Sequence, residues 1–297
     1  MQNLQAVLTQ QPNTPNPFDP EKYKRTTLAQ WQEAADAWDR FGPEIRAWLG
    51  PATLEMLDMA GISHGQRVLD LAAGAGDQTL QIAERVGPGG RVLATDLSPA
   101  ILEHAATNAH AQGHFNVETR TMDGENLDLP SESFDAVVSR VGLIYFPDQI
   151  KALQGMHRVL VPGGRVAAMV YSSADENGFF SIPVGIIRRR AALGAPLPGQ
   201  PGPFSLGSPE TITRLFETAG FQKVEVRVVA APLCLASADA CVQFERESFG
   251  ALHQMLSGLD DSARSEAWQE IHSALRPFET PSGFRGPCEM ILAVGTK

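Results

Sequence analysis

Residues 68–79 read Val-Leu-Asp-Leu-Ala-Ala-Gly-Ala-Gly-Asp-Gln-Thr, which is a short apolar strand, a glycine-containing turn and the beginning of a helix. Gly74 and Gly76 suit this turn, because the chain bends sharply there and a side chain would keep a ligand away from the backbone. Turns of this kind commonly receive a ligand that carries a nucleoside. The glycine pair alone is a weak signal, since many turns need glycine for conformation only.

Asp96 adds a second signal. The apolar stretch RVLATD at residues 91–96 ends in this carboxylate, 22 residues after Gly74. At that distance a carboxylate can accept hydrogen bonds from both ribose hydroxyls of an adenosine that lies across the strand ends. The two stretches together predict an adenosine site.

Short β-branched runs alternate with amphipathic stretches from residue 66 onward, and this pattern is typical of a βαβ sheet. The predicted strands cover residues 67–71, 91–95, 116–121, 134–139, 165–171, 224–230 and 290–294. We therefore expect an α/β fold, a Rossmann-like sheet of seven mostly parallel strands.

The remaining segments predict how the chain is organised around that sheet. Residues 1–20 are rich in Gln, Asn and Pro and predict a flexible tail, and residues 21–60 predict an N-terminal helical lid. Residues 61–297 form the main domain, with a Gly/Pro-rich insertion at 174–206 and a helical pair at 237–275. Additions at the carboxyl ends of a parallel sheet build its binding crevice, so we expect these segments to form a substrate cap.

Composition excludes several classes of protein. A formal net charge of −10 disfavours nucleic acid as a partner, and no apolar run is long enough for a membrane span. The three cysteines lack the spacing of a zinc site or a disulfide framework. We expect a cytoplasmic protein without a metal, and the sequence leaves its oligomeric state open.

A dinucleotide site is the first alternative to consider. Its fingerprint requires a third glycine three residues after Gly76, where this chain has Thr79. The strand also carries Asp70, four residues before Gly74, where the fingerprint asks for an apolar residue. These differences favour a ligand that has an amino-acid end and no pyrophosphate.

Five motifs in order resemble the class I S-adenosylmethionine-dependent methyltransferases, in particular the small-molecule group similar to the ubiquinone/menaquinone-biosynthesis C-methyltransferases. They are VLDLAAGAG at 68–76, ATDLS at 94–98, DGENL at 123–127, FDAVV at 134–138 and RVLVPGGR at 158–165. The resemblance covers about residues 60–230. It implies S-adenosylmethionine as cofactor and a sheet whose last strand is antiparallel.

The resemblance also implies a set of cofactor-binding residues, which are Tyr23, Asp70, Ala72, Gly74, Gly76, Asp96, Leu97, Asp123, Gly124 and Arg140. The methionine amino group would lie near the Asp70 carboxylate and the carbonyls of Ala72 and Arg140. Asp96 would bind the ribose and Leu97 would pack on the adenine. For Asp70 the alternative is a carboxylate that only holds its own loop in place.

The resemblance also implies which residues would bind the adenine. Asp123 would accept its amino proton, and the backbone amide of Gly124 would donate to a ring nitrogen. The alternative for Asp96 and Asp123 is an aspartate that caps a turn or a helix.

No residue is an evident general base, so the catalytic residue stays unknown. Tyr145 follows the fourth strand and could contact an acceptor, although a packing role fits it equally. His253 and His272 lie in the helical pair at 237–275 and could reach an acceptor if that pair covers the site. The alternative for both is a surface histidine.

An aromatic stripe in the first helices bears on the acceptor. Trp31, Trp38 and Phe41 share one helix face, which indicates either core packing or a lid over an aromatic acceptor. Enzymes that methylate base nitrogens typically carry an Asp/Asn-Pro-Pro-Tyr or Phe cluster after the fourth strand, where this chain has Ser-Arg-Val-Gly at 139–142. We therefore expect transfer to oxygen, nitrogen or carbon of a small, rather apolar metabolite. The alternative is a non-catalytic cofactor-binding or regulatory protein of the same fold.

Overall fold

The computed structural model describes residues 18–197 and 199–297. Most of the predicted tail, residues 1–17, lies outside this range, and the first helix begins at Pro20. Within the described residues, no helix is both long and apolar enough to cross a membrane.

A seven-stranded sheet forms the centre of the molecule. The strands of the chain are β1 (Arg67–Leu71), β2 (Arg91–Asp96), β3 (Val117–Thr121), β4 (Phe134–Arg140), β5 (Leu160–Tyr171), β6 (Gln222–Ala230), β7 (Leu233–Leu235), β8 (Glu279–Thr280), β9 (Gly283–Gly286) and β10 (Glu289–Thr296). The central sheet has the order β3-β2-β1-β4-β5-β10-β6, and only β10 runs antiparallel to its neighbours. The predicted fold, with its antiparallel last strand, is confirmed.

The strand order reverses between β1 and β4. The chain builds outward from β1 through β2 to β3 and then returns to place β4 on the other side of β1. In open α/β sheets the crevice for ligands lies at such a switch point, beyond the carboxyl ends of the strands.

The helices around the sheet are α1 (Pro20–Arg40), α2 (Gly42–Met59), α3 (Asp77–Val86), α4 (Pro99–Ala111), α5 (Gln149–Val159), α6 (Gly178–Arg190), α7 (Pro209–Thr218), α8 (Ala238–Ser248), α9 (Gly250–Leu256) and α10 (Asp261–Leu275). Several begin where the sequence offers a capping side chain. Ser98 accepts from the Ile101 amide at the start of α4, and Ser208 accepts from the Thr211 amide at the start of α7.

Two predicted segments differ from the structure in their details. Residues 237–275 hold three helices and not a pair, because Phe249 leaves the helical conformation (φ −107°, ψ 78°) and α9 begins at the next residue. The insertion at 174–206 contains α6, whose Phe179 and Phe180 are buried in the main core. The small antiparallel sheet β7-β9-β8 was not predicted, since β8 has only two residues.

The predicted lid, residues 21–60, divides into two parts. Helix α2 packs on β5, β10 and α3, and its Ile45, Trp48 and Met56 side chains are buried in the main core. Helix α1 instead packs on α4, α8 and α9 at the carboxyl ends of the strands. Only α1 is therefore placed to cover a ligand.

Candidate functional site

A cavity lies at the carboxyl ends of the strands, below α1, with an empty volume of about 1050 Å³. Among the predicted site residues, it is lined by Ala72, Gly74, Asp96, Leu97, Asp123, Gly124, Arg140 and Tyr145. The parallel strands explain this convergence, because each ends its run at the same edge of the sheet. This volume includes space that is open to solvent.

The backbone is strained on both sides of the switch point. Ala72 after β1 and Val141 after β4 both have positive φ, at 59° and 61°, and both line the cavity. Positive φ is costly for a residue with a Cβ, above all for a β-branched one, and such strain is commonly found at binding sites. Gly142 fits the same narrow space, because a Cβ there would lie 2.4 Å from the Ala72 Cβ.

The two positions of the turn require glycine for different reasons. Gly74 has φ +59° and lines the cavity, where an added Cβ would approach the Trp38 indole nitrogen to 3.4 Å. Gly76 does not line the cavity, and its Cβ would lie 2.9 Å from Ala105 of α4. The expectation that Gly76 gives a ligand access to the backbone is therefore corrected, since its small size lets α3 begin against α4.

Asp96 is held by the backbone of the two loops around it. Its Oδ2 accepts from the Gly74 amide at 3.1 Å, and its Oδ1 accepts from the Ser98 amide at 3.0 Å. Burial raises the pKa of Asp96, while these amides act in the opposite direction. A carboxylate offers about four acceptor positions, so one on each oxygen stays available for a ribose hydroxyl. The geometry of Asp96 fits an adenosine.

Asp123 is ion-paired with helix α1. The Lys24 Nζ of α1 lies 2.8 Å from both Asp123 Oδ2 and Glu125 Oε2. Burial alone would raise the pKa of Asp123, but the Lys24 ammonium, the Glu125 amide and the Asn126 side chain together hold this pKa below its ordinary value. An ionised carboxylate can accept from an amino group. Sequence reasoning missed Lys24, because its partners lie about a hundred residues away and no local pattern links them.

Asp70 does not line the cavity. It is fully buried, and its oxygens accept from Gln78 Nε2 and, at 2.6 Å, from Thr79 Oγ1 in the first turn of α3. Burial raises its pKa to about 7, against the opposing effects of Thr79, Arg140 and Gln78. This arrangement corresponds to the alternative in which Asp70 holds its own loop in place.

Arg140 lines the cavity, and its side chain is buried and ion-paired. Its Nη1 donates to Asp77 Oδ2 at 2.7 Å and to Thr53 Oγ1 at 3.2 Å, and its side chain is 5% exposed. Burial acts to raise the pKa of Asp77, but Arg140 and Arg46 together hold this pKa below its ordinary value. The guanidinium is thus paired and fixed beside the glycine turn.

Aromatic side chains form much of the wall of the cavity, and one of them, Trp38, lies against the Gly74 turn. Trp31, Trp38, Tyr145, Tyr171 and Phe249 all line it, and Trp31 meets Tyr145 edge-on at 5.8 Å between ring centroids. Burial raises the pKa of the Tyr145 phenol well above its ordinary range. Tyr145 therefore stays protonated near neutral pH and can donate a hydrogen bond, but it is a poor base.

Besides Asp70 and Gly76, three further predicted site residues lie off the cavity. Tyr23 of α1 packs against Phe18, 5.6 Å between ring centroids. His253 bonds the Arg246 carbonyl, and His272 Nε2 lies 3.1 Å from Asp239 Oδ1. The structure therefore does not bring either histidine to the site, because α9 and α10 turn these side chains toward neighbouring helices and solvent.

Comparison with known proteins agrees with this geometry. Residues 51–182 match the ubiE/COQ5 methyltransferase family. The matched stretch contains all five motifs, so the predicted resemblance to S-adenosylmethionine-dependent methyltransferases is confirmed.

Two curated relatives show how far the similarity extends. Aklanonic acid methyltransferase of Streptomyces sp. (strain C5) is 32% identical over 145 residues, which are 49% of this chain and 64% of the relative. The ubiquinone/menaquinone biosynthesis C-methyltransferase of Enterobacter sp. (strain 638) is 38% identical over 117 residues, 39% of this chain and 47% of the relative. The chain thus spans less than two thirds of either relative.

The fold is shared more widely than the sequence. Phosphoethanolamine N-methyltransferase 2 of Haemonchus contortus, solved in complex with S-adenosyl-L-methionine, superposes with a TM-score of 0.53 at 20% identity. The superposition covers 89% of this chain and 60% of that protein. At this identity the likeness shows the fold alone.

Proposed function

We propose that this chain transfers a methyl group from S-adenosylmethionine to a small, rather apolar metabolite. The observation that carries the proposal is one cavity lined by two kinds of residue. Asp96, Asp123 and the Gly74 turn suit an adenosine, while aromatic side chains in the same cavity offer apolar surface. A donor and an acceptor could meet in this cavity.

The residues of the site would act by holding and shielding the reactants. Asp96 would bind the ribose, Asp123 and the Gly124 amide would bind the adenine, and Leu97 would pack on the ring. The cofactor supplies a methyl group on a positively charged sulfur, and transfer is an in-line displacement that needs alignment and exclusion of water. A strong base is needed only if the acceptor arrives protonated with a high pKa, so the lack of an evident base is compatible with transfer.

The walls of the cavity support an apolar, ring-containing acceptor. Trp31 and Phe249 offer flat apolar surfaces, while the Tyr145 hydroxyl can donate one hydrogen bond. The names of the two relatives, in aklanonic acid methylation and in quinone biosynthesis, also refer to small molecules. The accepting atom, oxygen, nitrogen or carbon, stays open in the proposal. We also propose that the protein is located in the cytoplasm and that its partner is a small molecule and not a nucleic acid.

Helix α1 would act as the lid, and α2 would not. Lys24 joins α1 to Asp123, while Trp31 and Trp38 of the same helix form a wall of the cavity. Movement of α1 would therefore widen access to the cavity, and its return would exclude water. The alternative is a cofactor-binding or regulatory protein without catalysis, with which the lack of an evident general base is also compatible.

Methyl transfer from S-adenosylmethionine with a labelled methyl group tests the proposal, with hydroquinones, catechols, aliphatic amines and fatty acids as trial acceptors. We expect label to appear in at least one ring-containing acceptor. Label in none of them, with normal cofactor binding, would favour the non-catalytic alternative.

Trp31→Ala is expected to raise the KM for such an acceptor about 10- to 100-fold, since loss of a buried aromatic contact costs about 1.5–3 kcal/mol. The dissociation constant of the cofactor should change much less. Initial rates against acceptor concentration measure this effect. Phe115→Ala, at an aromatic residue that is 78% exposed and does not line the cavity, is the control. An unchanged KM in Trp31→Ala would contradict the placement of the acceptor.

A further inference from the structure

Strand β6 forms an open edge of the central sheet. It stands last in the strand order, and among the described residues it pairs only with β10. It has nine residues, none of them is buried, and the apolar Val228 is 47% exposed. Alternate backbone amides and carbonyls of an edge strand point outward and can pair with another strand, so proteins commonly shorten, interrupt or cover their edges. This edge is long and contains no proline, and it therefore offers a surface for pairing.

The side chains of this edge divide into an apolar face and a charged face. Successive side chains of a strand point to opposite sides of the sheet. The apolar face holds Val224, Val226 and Val228, and the charged face holds Glu225 and Arg227. Charges on an edge usually act against pairing with another strand. Here one acidic and one basic residue stand two positions apart, so a strand with the opposite order of charges would complement both.

We propose that β6 pairs with β6 of a second copy of this chain, antiparallel and about a twofold axis at Val226. An axis perpendicular to the sheet keeps each face of the sheet on its own side. With Val226 opposite itself, Glu225 lies opposite Arg227 of the second copy. In the same register, Val224 lies opposite Val228. Directly opposite side chains have Cβ atoms about 4.5–5.5 Å apart, and pairs of opposite charge or of β-branched residues stabilise a sheet at that distance. The two chains thus share one continuous sheet.

The charges of the edge select this register. A shift of two residues in one direction puts Arg227 opposite Arg227, and the same shift in the other direction puts Glu225 opposite Glu225. Like charges that lie directly opposite destabilise a sheet. A shift of one residue would put charged side chains opposite valines, which a twofold axis perpendicular to the sheet forbids. Lys223 has positive φ (49°) beside a shift in the pairing with β10, and this bulge ends the regular part of the edge.

The Arg227 side chain can reach a second carboxylate. Its Nη1 bonds Glu55 Oε1 of α2 at 3.2 Å, and the arginine side chain is 55% exposed. A guanidinium has five N–H donors, so others stay available to Glu225 of the second copy. The contact with Glu55 also holds the arginine on the charged face, which lowers the entropy that it loses on pairing.

Strand β3, at the other edge of the sheet, is a natural comparison. It has a similar order of charges, with Glu118 and Arg120 on either side of Thr119. It has only five residues, however, and Thr119 stands where β6 has Val226. Pairing of β3 with itself would therefore join fewer residues and bring together less apolar surface. Of the two edges, β6 is the one that fits a second copy.

Sedimentation equilibrium of the full chain tests the proposal. We expect an equilibrium between one chain and two chains. Arg227→Glu puts carboxylates opposite each other on both sides of the axis and should raise the dissociation constant of the dimer about tenfold or more. Glu225→Arg should have the same effect through opposing guanidinium groups. The double variant that carries both substitutions restores opposite charges across the axis, so it should dimerise at least tenfold more tightly than either single variant.

Arg120→Glu is a matched control, because it makes the same change of charge on the β3 edge and should leave the dissociation constant of the dimer unchanged. Circular dichroism of each variant checks that the fold is kept, as expected for exposed positions. An unmodified protein that stays monomeric up to about 1 mM would overturn the proposal. A dimer that Arg120→Glu weakens as much as Arg227→Glu, or a double variant that dimerises no more tightly than the single variants, would also overturn it.

Discussion

Asp96→Ala is expected to weaken binding of S-adenosylhomocysteine by a factor of about 10²–10⁴. The carboxylate is placed to accept from two ribose hydroxyls, and each hydrogen bond to a charged group contributes about 1.5–3 kcal/mol. The substitution also removes the acceptor for the Gly74 and Ser98 amides, so the glycine turn loses a support that orders the pocket. Titration calorimetry of the variant against the unmodified protein measures the loss.

Asp135→Ala serves as the control for this experiment. Asp135 is also an aspartate on a strand of the central sheet, but it lies near the beginning of β4, pairs with Arg67 and does not line the cavity. Asp135→Ala should bind S-adenosylhomocysteine with an affinity within about twofold of the unmodified protein, since Asp135 does not line the cavity. An Asp96→Ala variant that binds as tightly as the unmodified protein would show that the ribose lies elsewhere.

Trp48→Ala is expected to lower the free energy of unfolding by about 3–5 kcal/mol, the usual cost of removing a large buried aromatic side chain. Trp48 of α2 is 4% exposed, its Nε1 donates to the Ala231 carbonyl at 2.8 Å, and its ring meets Phe179 edge-on at 5.1 Å. Urea denaturation followed by circular dichroism measures the change.

Comparing the loss of stability in Trp48→Ala with that in Trp31→Ala tests whether α2 belongs to the core and α1 does not. Trp31 of α1 is only partly buried and lines the cavity, so its removal should cost the fold much less than the removal of Trp48. Equal and small losses of stability in both variants would mean that α2 is a peripheral lid after all. The result we expect places α2 in the core and leaves α1 as the moving part.

The order of strands and helices could be predicted because it depends on local patterns. Strand β1, the glycine turn and α3 follow from one stretch of twelve residues, and the prolines and serines before α4 and α7 mark their beginnings. The short strands β7 to β9 could not be predicted in this way. β7 pairs with β9 about fifty residues further along the chain, and two to four residues are too few to show a periodic pattern.

The candidate site was predictable where a residue follows directly after a strand. Ala72, Asp96 and Arg140 lie at or next to the carboxyl ends of β1, β2 and β4, and parallel strands bring such positions together whatever the loops do. The direction of a side chain depends on tertiary packing, which the sequence does not show. Asp70 therefore turned out to hold Gln78, and Gly76 to face Ala105.

Contacts between distant segments were beyond sequence reasoning for the same reason. Lys24 meets Asp123 and Glu125 across about one hundred residues, and nothing in the local pattern of α1 indicates these partners. The histidines of α9 and α10 were candidates by chain position only. Once these helices are placed, His253 and His272 face away from the cavity and have partners of their own.

The central claim is that the cavity below α1 binds an adenosyl amino acid and not a dinucleotide. Titration calorimetry of the unmodified protein with S-adenosylhomocysteine and with NAD, under the same conditions, tests it most directly. We expect saturable binding of one S-adenosylhomocysteine per chain and no measurable binding of NAD, because Thr79 replaces the third glycine that a pyrophosphate requires. NAD binding as tight as that of S-adenosylhomocysteine, or no binding of the latter, would contradict the account.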